Sequence, residues 1–266
     1  MDLREQTART DPRLEHAVVD GIATVVISNP AKRNAMTAGM WQALPPLLEE
    51  LAADPGVRLL VLTGAGDTFC AGADIGSLRG PGGRPQALAV EAEEALAAFP
   101  LPTLAAVRGY CVGGGSQLAA ACDLRFAEEG ASFGVTPAKL GIVYPSSSTR
   151  RLVALVGPAQ AKYLLFSGEL IGTDRALRAG LVDEVLPVGG LEERVLSFAR
   201  ILASRSRLTQ AAAKEFADGR EDRDAYWSRQ ADGSGDTAEG VAAFLERRAP
   251  RFTWHTGSAG TVPTSG

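Results

Sequence analysis

The sequence contains few of the residues that cross-link secreted proteins or bind metals, and it contains no long apolar run. It has three cysteines and two histidines among 266 residues, which share no spacing typical of a disulfide framework or a zinc site. No apolar stretch reaches the roughly 18 residues that would span a membrane, and the first residues lack the apolar segment of a signal peptide. These absences predict a cytoplasmic protein without a metal site and without a membrane segment.

Positive charge is also scarce. Lys and Arg total 27 against 31 Asp and Glu, which gives a net charge of -4. A broad basic face for nucleic acid is therefore not expected, although a local basic cluster could still hold one phosphate group. Apolar residues make up 45% and charged residues 22%, as in an ordinary globular chain, and the length suits one large domain or a domain with an appendage.

Glycine is abundant, with 30 residues, and strands alternate with helices along the chain. A β-rich stretch at 16–27 contains the hairpin signal Asp20-Gly21. The apolar runs at 57–62 and 104–107 are typical of strands buried on both faces, and a further strand is predicted at 124–127. Thr37 is predicted to cap a helix that runs towards Asp54 and is kinked or restarted at Pro45-Pro46. Further helices are predicted over 86–98, from the glycine run after 109 to 121, and over 158–167, 173–179, 191–203, 209–217 and 237–248.

These patterns divide the chain into an α/β core and a helical C-terminal segment. The core spans 14–187 and the helical segment spans 188–254. The polar stretch at 1–13 and the Gly/Ser/Thr-rich stretch at 255–266 are predicted to be disordered.

Two glycine-containing turns follow the two buried strands, at 70–75 (CAGADI) and at 109–117 (GYCVGGGSQ). Ligands gather at the carboxyl ends of strands in α/β folds, and a glycine run that leads into a helix leaves backbone N–H groups uncovered at the positive end of the helix dipole. Such N–H groups can hold an oxyanion. The alternative is that both turns are only tight connections.

An ordered set of motifs carries a resemblance to a known family. It comprises Asn29-Pro30 with Asn34-Ala35, the blocks VRLLVLTGAGDTFCAGADI and AAVRGYCVGGGSQLAAACDLRFA, and the pairs Phe133-Gly134 and Leu140-Gly141. From about residue 16 to residue 252 the chain resembles the enoyl-CoA hydratase/isomerase, or crotonase, superfamily. The resemblance implies an α/β fold, a crotonase-like spiral of ββα units with C-terminal trimerising helices. It also implies an acyl-CoA substrate, a homotrimer or hexamer, and no cofactor, since coenzyme A belongs to the substrate.

The resemblance further assigns site residues. The N–H groups of Ala73 and Gly114 match the pair that holds the thioester carbonyl in the family, where donors stabilise the oxygen of an enolate. The positions that match coenzyme A contacts are Lys32, Arg33, Ala35, Ala71, Asp74, Ile75 and Phe252. The alternatives are a solvated surface pair for Lys32 and Arg33 and a packed aromatic side chain for Phe252.

The chain departs from the family at the two glutamates that a hydratase uses as base and acid. Gln117 stands at the first position and Pro137 at the second, and the sequence from 131 to 156 contains no Asp or Glu. A glutamine amide forms hydrogen bonds but does not take a proton at neutral pH. Hydration and glutamate-driven double-bond migration are therefore not expected to proceed by the usual route.

The segment 136–144 (TPAKLGIVY) resembles the corresponding stretch of methylmalonyl-CoA decarboxylase, a superfamily member in which a threonine and a tyrosine at this spacing line the acyl pocket. Here these residues are Thr136 and Tyr144. Loss of CO2 generates the enolate directly and needs no base, so the first hypothesis is an acyl-CoA lyase that decarboxylates a malonyl-type thioester. The alternatives are a hydratase or isomerase that uses another acid, such as Glu91 or Glu94, and an acyl-CoA-binding protein without catalytic activity.

Structural roles are predicted for the remaining acidic residues of interest. Asp74 is expected to cap the next helix, Asp123 to pair with Arg125, and Asp236 to form a capping box with Glu239. The acidic residues at 91, 93 and 94 are expected on a solvated helix face.

Overall fold

The computed structural model describes residues 11–74, 76 and 85–255. The predicted coenzyme A contact Ile75 and the glycine-rich loop at 80–84 lie outside the described residues, as do 1–10 and 256–266 of the two ends predicted to be disordered. The first strand already begins at Arg13, the last residue of the predicted N-terminal disordered stretch.

The secondary structure alternates between strands and helices. The strands are β1 (Arg13–Val19), β2 (Ile22–Ser28), β3 (Leu59–Gly64), β4 (Thr103–Val107), β5 (Tyr110–Val112), β6 (Leu124–Glu128), β7 (Ser132–Gly134), β8 (Ile171–Gly172) and β9 (Glu184–Leu186). The α-helices are α1 (Ala38–Ala53), α2 (Pro85–Ala97), α3 (Gly114–Ala121), α4 (Ser146–Ser167), α5 (Thr173–Arg178), α6 (Leu191–Ala203), α7 (Arg207–Ala217), α8 (Asp224–Ser234) and α9 (Asp236–Glu246).

A six-stranded sheet in the order β1-β2-β3-β4-β6-β9 forms the centre of the molecule. The strands β1 and β2 are antiparallel, and each following pair is parallel. The hairpin turn at Asp20 and Gly21 has positive φ at both residues, the geometry that matches the twist of the flanking strands. Every residue of β3 and of β4 is buried, which confirms the prediction of strands covered on both faces.

The chain repeats a ββα unit, in β4-β5-α3 and again in β6-β7-α4. The first strand of each unit joins the large sheet, whereas the second joins a smaller sheet in the order β5-β7-β8. An isolated parallel bridge between Cys70 and Cys111 attaches the segment after β3 to the start of this smaller sheet. The two glycine-containing turns that follow β3 and β5 therefore lie next to each other.

The helix α1 begins where the sequence predicted. The hydroxyl of Thr37 accepts a hydrogen bond from the Met40 N–H at 3.3 Å, as an N-cap does. The helix does not restart at Pro45-Pro46, since α1 continues through both prolines. A stripe of buried side chains packs the helix against the core on either side of them and offsets the lost backbone hydrogen bonds: Met40, Trp41, Leu44, Leu48 and Leu51.

The helix α4 is longer than predicted. The pattern gave only 158–167, but the helix starts at Ser146 and contains a non-helical residue, Gly157, with φ 73° and ψ 162°. The predicted start thus lies directly after this interruption. The preceding half of α4 was missed because its apolar periodicity is weak, and this half carries Ser148 and Arg151 to the site described below.

The helix α6 belongs to the core, although the predicted boundary at 187 placed it in the C-terminal segment. Its buried residues Leu191, Val195 and Ala199 pack against sheet residues such as Leu59 and Phe126. This helix covers the second face of the large sheet. Only the later helices form a separate layer, and α8 among them was not predicted.

The predicted pairing of Asp123 with Arg125 takes a different form. Arg125 pairs with Asp183 at 3.3 Å, while the carboxylate of Asp123 accepts hydrogen bonds from Thr103 and from Lys214 at 2.9 Å. The sequence did not indicate Asp183 or Lys214 as partners, because both are distant along the chain. Asp183, for example, is 58 residues from Arg125.

The predicted capping box at the start of α9 is also wrong, because the N-cap is Gly235 and makes no side-chain cap. Asp236 instead accepts a hydrogen bond from the Ser206 hydroxyl at 2.7 Å. Glu239 accepts a hydrogen bond from Arg248 at 2.6 Å and thereby links the segment that follows α9 to this helix.

Candidate active site

The turn after β3 directs the Ala73 N–H away from the neighbouring segment at Met36. Met36 forms a parallel bridge with Ala73, in which the Met36 N–H donates to the Gly72 carbonyl and the Asp74 N–H donates to the Met36 carbonyl, both at 2.8 Å. A parallel bridge uses the groups on either side of the bridged residue. The N–H of Ala73 itself is therefore left to the opposite side of the segment.

The N–H of Gly114 lies beside that of Ala73. Gly114 is the first residue of α3, and the N–H groups of the first helical turn have no partner within the helix. A Cβ atom built on Gly114 would lie 3.5 Å from the Ala73 nitrogen, and one built on Gly72 would lie 3.6 Å from the Gly114 nitrogen. The structure thus brings together the two backbone donors that the sequence singled out.

Glycine is required around these donors. Gly72 has φ 110° and Gly113 has φ 56°, values that side-chain-bearing residues rarely adopt. A side chain at Gly114 would force the Trp41 ring to shift, because a Cβ atom there would lie 2.9 Å from its Cζ2. The glycines therefore set the backbone geometry that exposes the donors.

A cavity of about 150 Å³ opens beside the two donors. All five residues predicted to be catalytic contribute to its wall: Ala73, Gly114, Gln117, Thr136 and Tyr144. The other lining residues are Trp41, Ala71, Gly72, Gln86, Ala89, Gly113, Pro137, Leu140, Ile142 and Pro145. Within the described part of the chain, no Asp or Glu lines this cavity.

Tyr144 lines this cavity, and its phenol stays protonated. Burial raises the pKa of Tyr144 well above its ordinary value, and the nearby negative charge of Glu93 raises the pKa further. The phenol is therefore protonated throughout the neutral range and does not act as a base there.

Gln117 connects the cavity to a buried carboxylate behind it. Its amide nitrogen donates to Glu93 Oε2 at 2.5 Å and to the Ser148 hydroxyl at 3.1 Å. Ser148 also donates to Glu93 Oε2 at 2.5 Å, and Arg151 forms an ion pair with Glu93 Oε1. The Glu93 side chain is 1% exposed.

The prediction that the acidic residues of α2 lie on a solvated face is therefore wrong for Glu93, although Glu91 and Glu94 are exposed. The periodicity contained a signal for this. Ala89, Ala92 and Leu96 are the buried apolar residues of α2, and position 93 falls on the same stripe at the spacing i+4 from Ala89. A charged residue on an apolar stripe indicates a buried partner.

The predicted coenzyme A contacts around Lys32 lie at the edge of the same turn. Lys32 Nζ donates to Asp74 Oδ1 and Oδ2 at 2.9 and 2.7 Å, and this bond with Lys32 lowers the pKa of Asp74. The carboxylate also accepts from the Gly76 N–H at 3.1 Å. The exposed Arg33 extends over the ring of Tyr110 at 4.9 Å, and its carbonyl accepts from the N–H of the cavity residue Ala71 at 3.0 Å.

Two other predicted contacts occupy different surroundings. Ala35 is buried, and its carbonyl accepts a hydrogen bond from the Asn29 amide at 2.7 Å, so it belongs to the framework beneath the turn. Phe252 is half-buried, and its ring lies 3.6 Å from where a Cβ atom of Gly240 would stand. It is not among the residues that line the cavity.

Among the described residues, His, Cys, Asp and Glu do not cluster in groups of three or more that would suit a metal ion. Over the same residues, none of the helices combines the length and apolarity needed to cross a membrane. The three cysteine thiols are buried, and burial raises the pKa of Cys70 and of Cys122 to about 12.

Comparison with known proteins identifies the family. The fold, with its ββα units and bridged glycine turns, is the crotonase fold: a crystal structure of an enoyl-CoA hydratase/isomerase family member superposes with a TM-score of 0.86 at 42% identity, over 93% of this chain and 99% of that one. The enoyl-CoA hydratase of Bacillus anthracis superposes with a TM-score of 0.83 at 30% identity, over 90% of this chain and 98% of that one.

The sequence comparisons agree. The model of the enoyl-CoA hydratase/isomerase family matches residues 18–255. The crotonyl-CoA hydratase of Syntrophomonas wolfei is 35% identical over 87% of this chain and 94% of its own length. The 2,3-dehydroadipyl-CoA hydratase of Escherichia coli is 34% identical over the same shares. The chain belongs to the enoyl-CoA hydratase/isomerase family and is an enzyme of that family.

Proposed function

We propose that this enzyme binds an acyl-CoA thioester with the thioester carbonyl between the N–H groups of Ala73 and Gly114. Both donors are left unpaired by the bridge at Met36 and by the start of α3, and they lie side by side at the cavity wall. Fixed donors stabilise the negative oxygen of an enolate without reorganisation during the reaction. The reaction therefore passes through a thioester enolate.

We further propose that the enolate arises by decarboxylation of a malonyl-type thioester. The observation that carries this proposal is the absence of Asp and Glu from the described lining of the cavity, which leaves no base beside the donors. In decarboxylation the bond between C2 and the carboxylate breaks, and its electron pair forms the enolate while CO2 departs. A proton from water or from the Tyr144 hydroxyl then completes the product.

The polar side chains of the cavity suit the carboxylate that departs. Thr136 and Tyr144 both line the cavity, and the protonated phenol of Tyr144 can donate a hydrogen bond. The remaining lining is largely apolar, which solvates a carboxylate poorly and favours its conversion to neutral CO2.

Hydration is the second candidate, because similar proteins in the comparisons are named hydratases. The structure offers Glu93 as the acid nearest to the cavity wall, rather than Glu91 or Glu94. Glu93 lies behind Gln117 and is engaged by Ser148 and Arg151. The cavity residue that forms a hydrogen bond with it is Gln117, whose amide does not accept a proton at neutral pH.

The deciding experiment measures two reactions with the same purified enzyme. Methylmalonyl-CoA and malonyl-CoA are assayed for CO2 release, and crotonyl-CoA for loss of the enoyl absorbance. We expect CO2 release at enzymatic rates, reduced by Tyr144→Phe through lost orientation and unaffected by Tyr226→Phe on α8. Hydration without CO2 release would replace the decarboxylase proposal, and binding without any turnover would favour a non-catalytic acyl-CoA-binding protein.

We also propose that the enzyme acts in the cytoplasm as a homotrimer or hexamer. The layer formed by α8 and α9 exposes large apolar side chains, including Phe244 at 82% and Leu245 at 74% exposure. A groove of about 680 Å³ lies between these helices and is lined by Val241 and Leu245 among others. Apolar patches of this kind favour association with another subunit.

A further inference from the structure

Glu93 is a fully buried carboxylate that the proposed reaction does not use. It does not line the cavity, yet Gln117, Ser148 and Arg151 all donate hydrogen bonds to it. Burying a charge is costly unless it is paired and hydrogen-bonded, and here the Arg151 guanidinium supplies the compensating charge. The hydrogen bonds of this cluster therefore have a defined polarity, that is, a fixed direction: Glu93 is the acceptor in each bond that it forms.

This polarity fixes the orientation of the Gln117 amide. A carboxylate only accepts hydrogen bonds, so the amide nitrogen of Gln117 must face Glu93. The Ser148 hydroxyl donates its proton to Glu93 at 2.5 Å and accepts from the same amide nitrogen at 3.1 Å. The nitrogen is thus engaged inside the wall, and the amide oxygen is the polar atom of Gln117 that is left for the cavity.

We infer that Glu93 is a positioning residue that turns the Gln117 amide oxygen towards the acyl cavity, so that the site selects an acyl group with a hydrogen-bond donor there. A hydroxyl on the acyl chain fits this requirement, since it donates to Gln117 and can accept from Tyr144. A carbonyl or carboxylate at the same place meets the amide oxygen as a second acceptor. A malonyl-type carboxylate is therefore directed to the hydroxyls of Thr136 and Tyr144.

The inference rests on the proposed binding of acyl-CoA and is tested with ligands that do not react. The thioethers S-(3-hydroxybutyl)-CoA, S-(3-oxobutyl)-CoA and S-butyl-CoA lack the thioester and differ only at carbon 3. Their dissociation constants are measured by calorimetry on the full-length enzyme. We expect the hydroxy ligand to bind roughly tenfold more tightly than the oxo ligand. The hydroxyl donates a hydrogen bond to the Gln117 amide oxygen, whereas the carbonyl oxygen places a second acceptor beside it.

Variants then locate the origin of this preference. In Glu93→Gln the new amide can donate as well as accept, so the Gln117 amide can turn and the preference should fall to about threefold or less. Gln117→Met removes the amide, keeps Glu93 with Arg151, and should abolish the preference even if Glu93→Gln folds poorly. The matched control is Glu94→Gln, which makes the same change at an exposed partner of Arg151 on the same helix and should leave the preference unchanged.

The outcomes separate the two proposals. Equal binding of the hydroxy and oxo ligands by the wild type, or a preference that survives Gln117→Met, overturns the inference while S-butyl-CoA binding still supports the acyl-CoA site. Failure of all three ligands to bind overturns the inference, whereas the proposed function is tested separately by the thioester assays described above. A general structural weakening by Glu93→Gln would lower all three affinities equally and would not change their ratio.

Discussion

At the scale of single residues, the proposed chemistry depends on two backbone N–H groups rather than on catalytic side chains. The two proposed donors are the N–H groups of Ala73 and Gly114, exposed by a bridge on one side and by a helix start on the other. The polar side chains Gln117, Thr136 and Tyr144 line the same cavity. Substitutions at the glycines therefore test the backbone geometry directly.

Gly114→Pro should lower turnover by roughly 10²–10³, the usual cost of losing one oxyanion donor. Proline suits the first position of a helix, so the change removes the N–H without breaking α3. Gly114→Ala is the matched control, because its Cβ meets the same Trp41 ring but its N–H remains. Single-turnover rates on the active thioester measure the effect, and equal rates in the two variants would remove Gly114 from the oxyanion site.

Arg33→Ala should weaken coenzyme A binding by up to about fivefold at low salt, as expected for one exposed ionic contact. Arg33 is exposed beside the turn that leads to the cavity, where a phosphate can reach it. The difference from the wild type should shrink as salt rises, because salt screens exposed charges. The control is Arg220→Ala, an exposed arginine paired with Asp222, and identical affinities for both variants would make Arg33 an ordinary surface residue.

At the scale of elements, Glu239 joins α9 to the chain that follows it. The Glu239 carboxylate accepts from two Arg248 nitrogens at 2.6 and 2.9 Å and from the Arg251 N–H at 2.6 Å. These bonds, led by that of Arg248, lower the pKa of Glu239 from 4.5 to about 2. A depressed pKa in the folded state means that the stabilisation is complete above pH 4.5 and is lost as the pH falls towards 2.

Arg248→Met should therefore lower the Tm at pH 7, and the difference from the wild type should vanish as the pH falls from 4.5 towards 2. Fluorescence of the buried Trp254, which follows Arg251 and packs against Trp227 at 5.8 Å between ring centroids, reports release of this segment. Arg229→Met, at an exposed position of α8, controls for the loss of one positive charge. A difference in Tm that is independent of pH would show that Glu239 does not carry the contact.

At the scale of the whole molecule, the C-terminal layer leaves apolar surface uncovered in a single chain. The core beneath it is complete, since α6 already covers the second face of the large sheet. The exposed apolar residues of α9 therefore have no remaining surface of the core to cover, and another subunit is the occupant that the resemblance implied.

Light scattering should give a mass of three or six times the 27.7 kDa of one chain. Leu245→Asp on α9 should shift this mass towards that of the monomer, because a buried interface tolerates an unpaired charge poorly. Glu246→Asp, at the adjacent residue, preserves charge and should not. A monomer at micromolar concentration in the wild type would contradict the proposed assembly.

Much of the fold followed from local patterns in the sequence. The hairpin at Asp20-Gly21, the buried strands and the Thr37 cap each depend on neighbouring residues, and all three are present in the structure. Local periodicity and turn chemistry determine such features before any tertiary contact forms. The five residues predicted to be catalytic are assigned by the family resemblance, and they line one cavity in the structure.

Only the tertiary structure decided the contacts between distant segments. Glu93 lies 24 residues from Gln117 and 55 from Ser148. The sequence of α2 alone predicts a solvated side chain at this position, but α3 and α4 enclose it in the folded chain. The continuity of α1 through Pro45-Pro46 likewise depends on the core against which its buried stripe packs. A periodic pattern shows which face of an element is buried, but the partner that satisfies a charge or offsets a lost hydrogen bond is set by packing over long sequence separations.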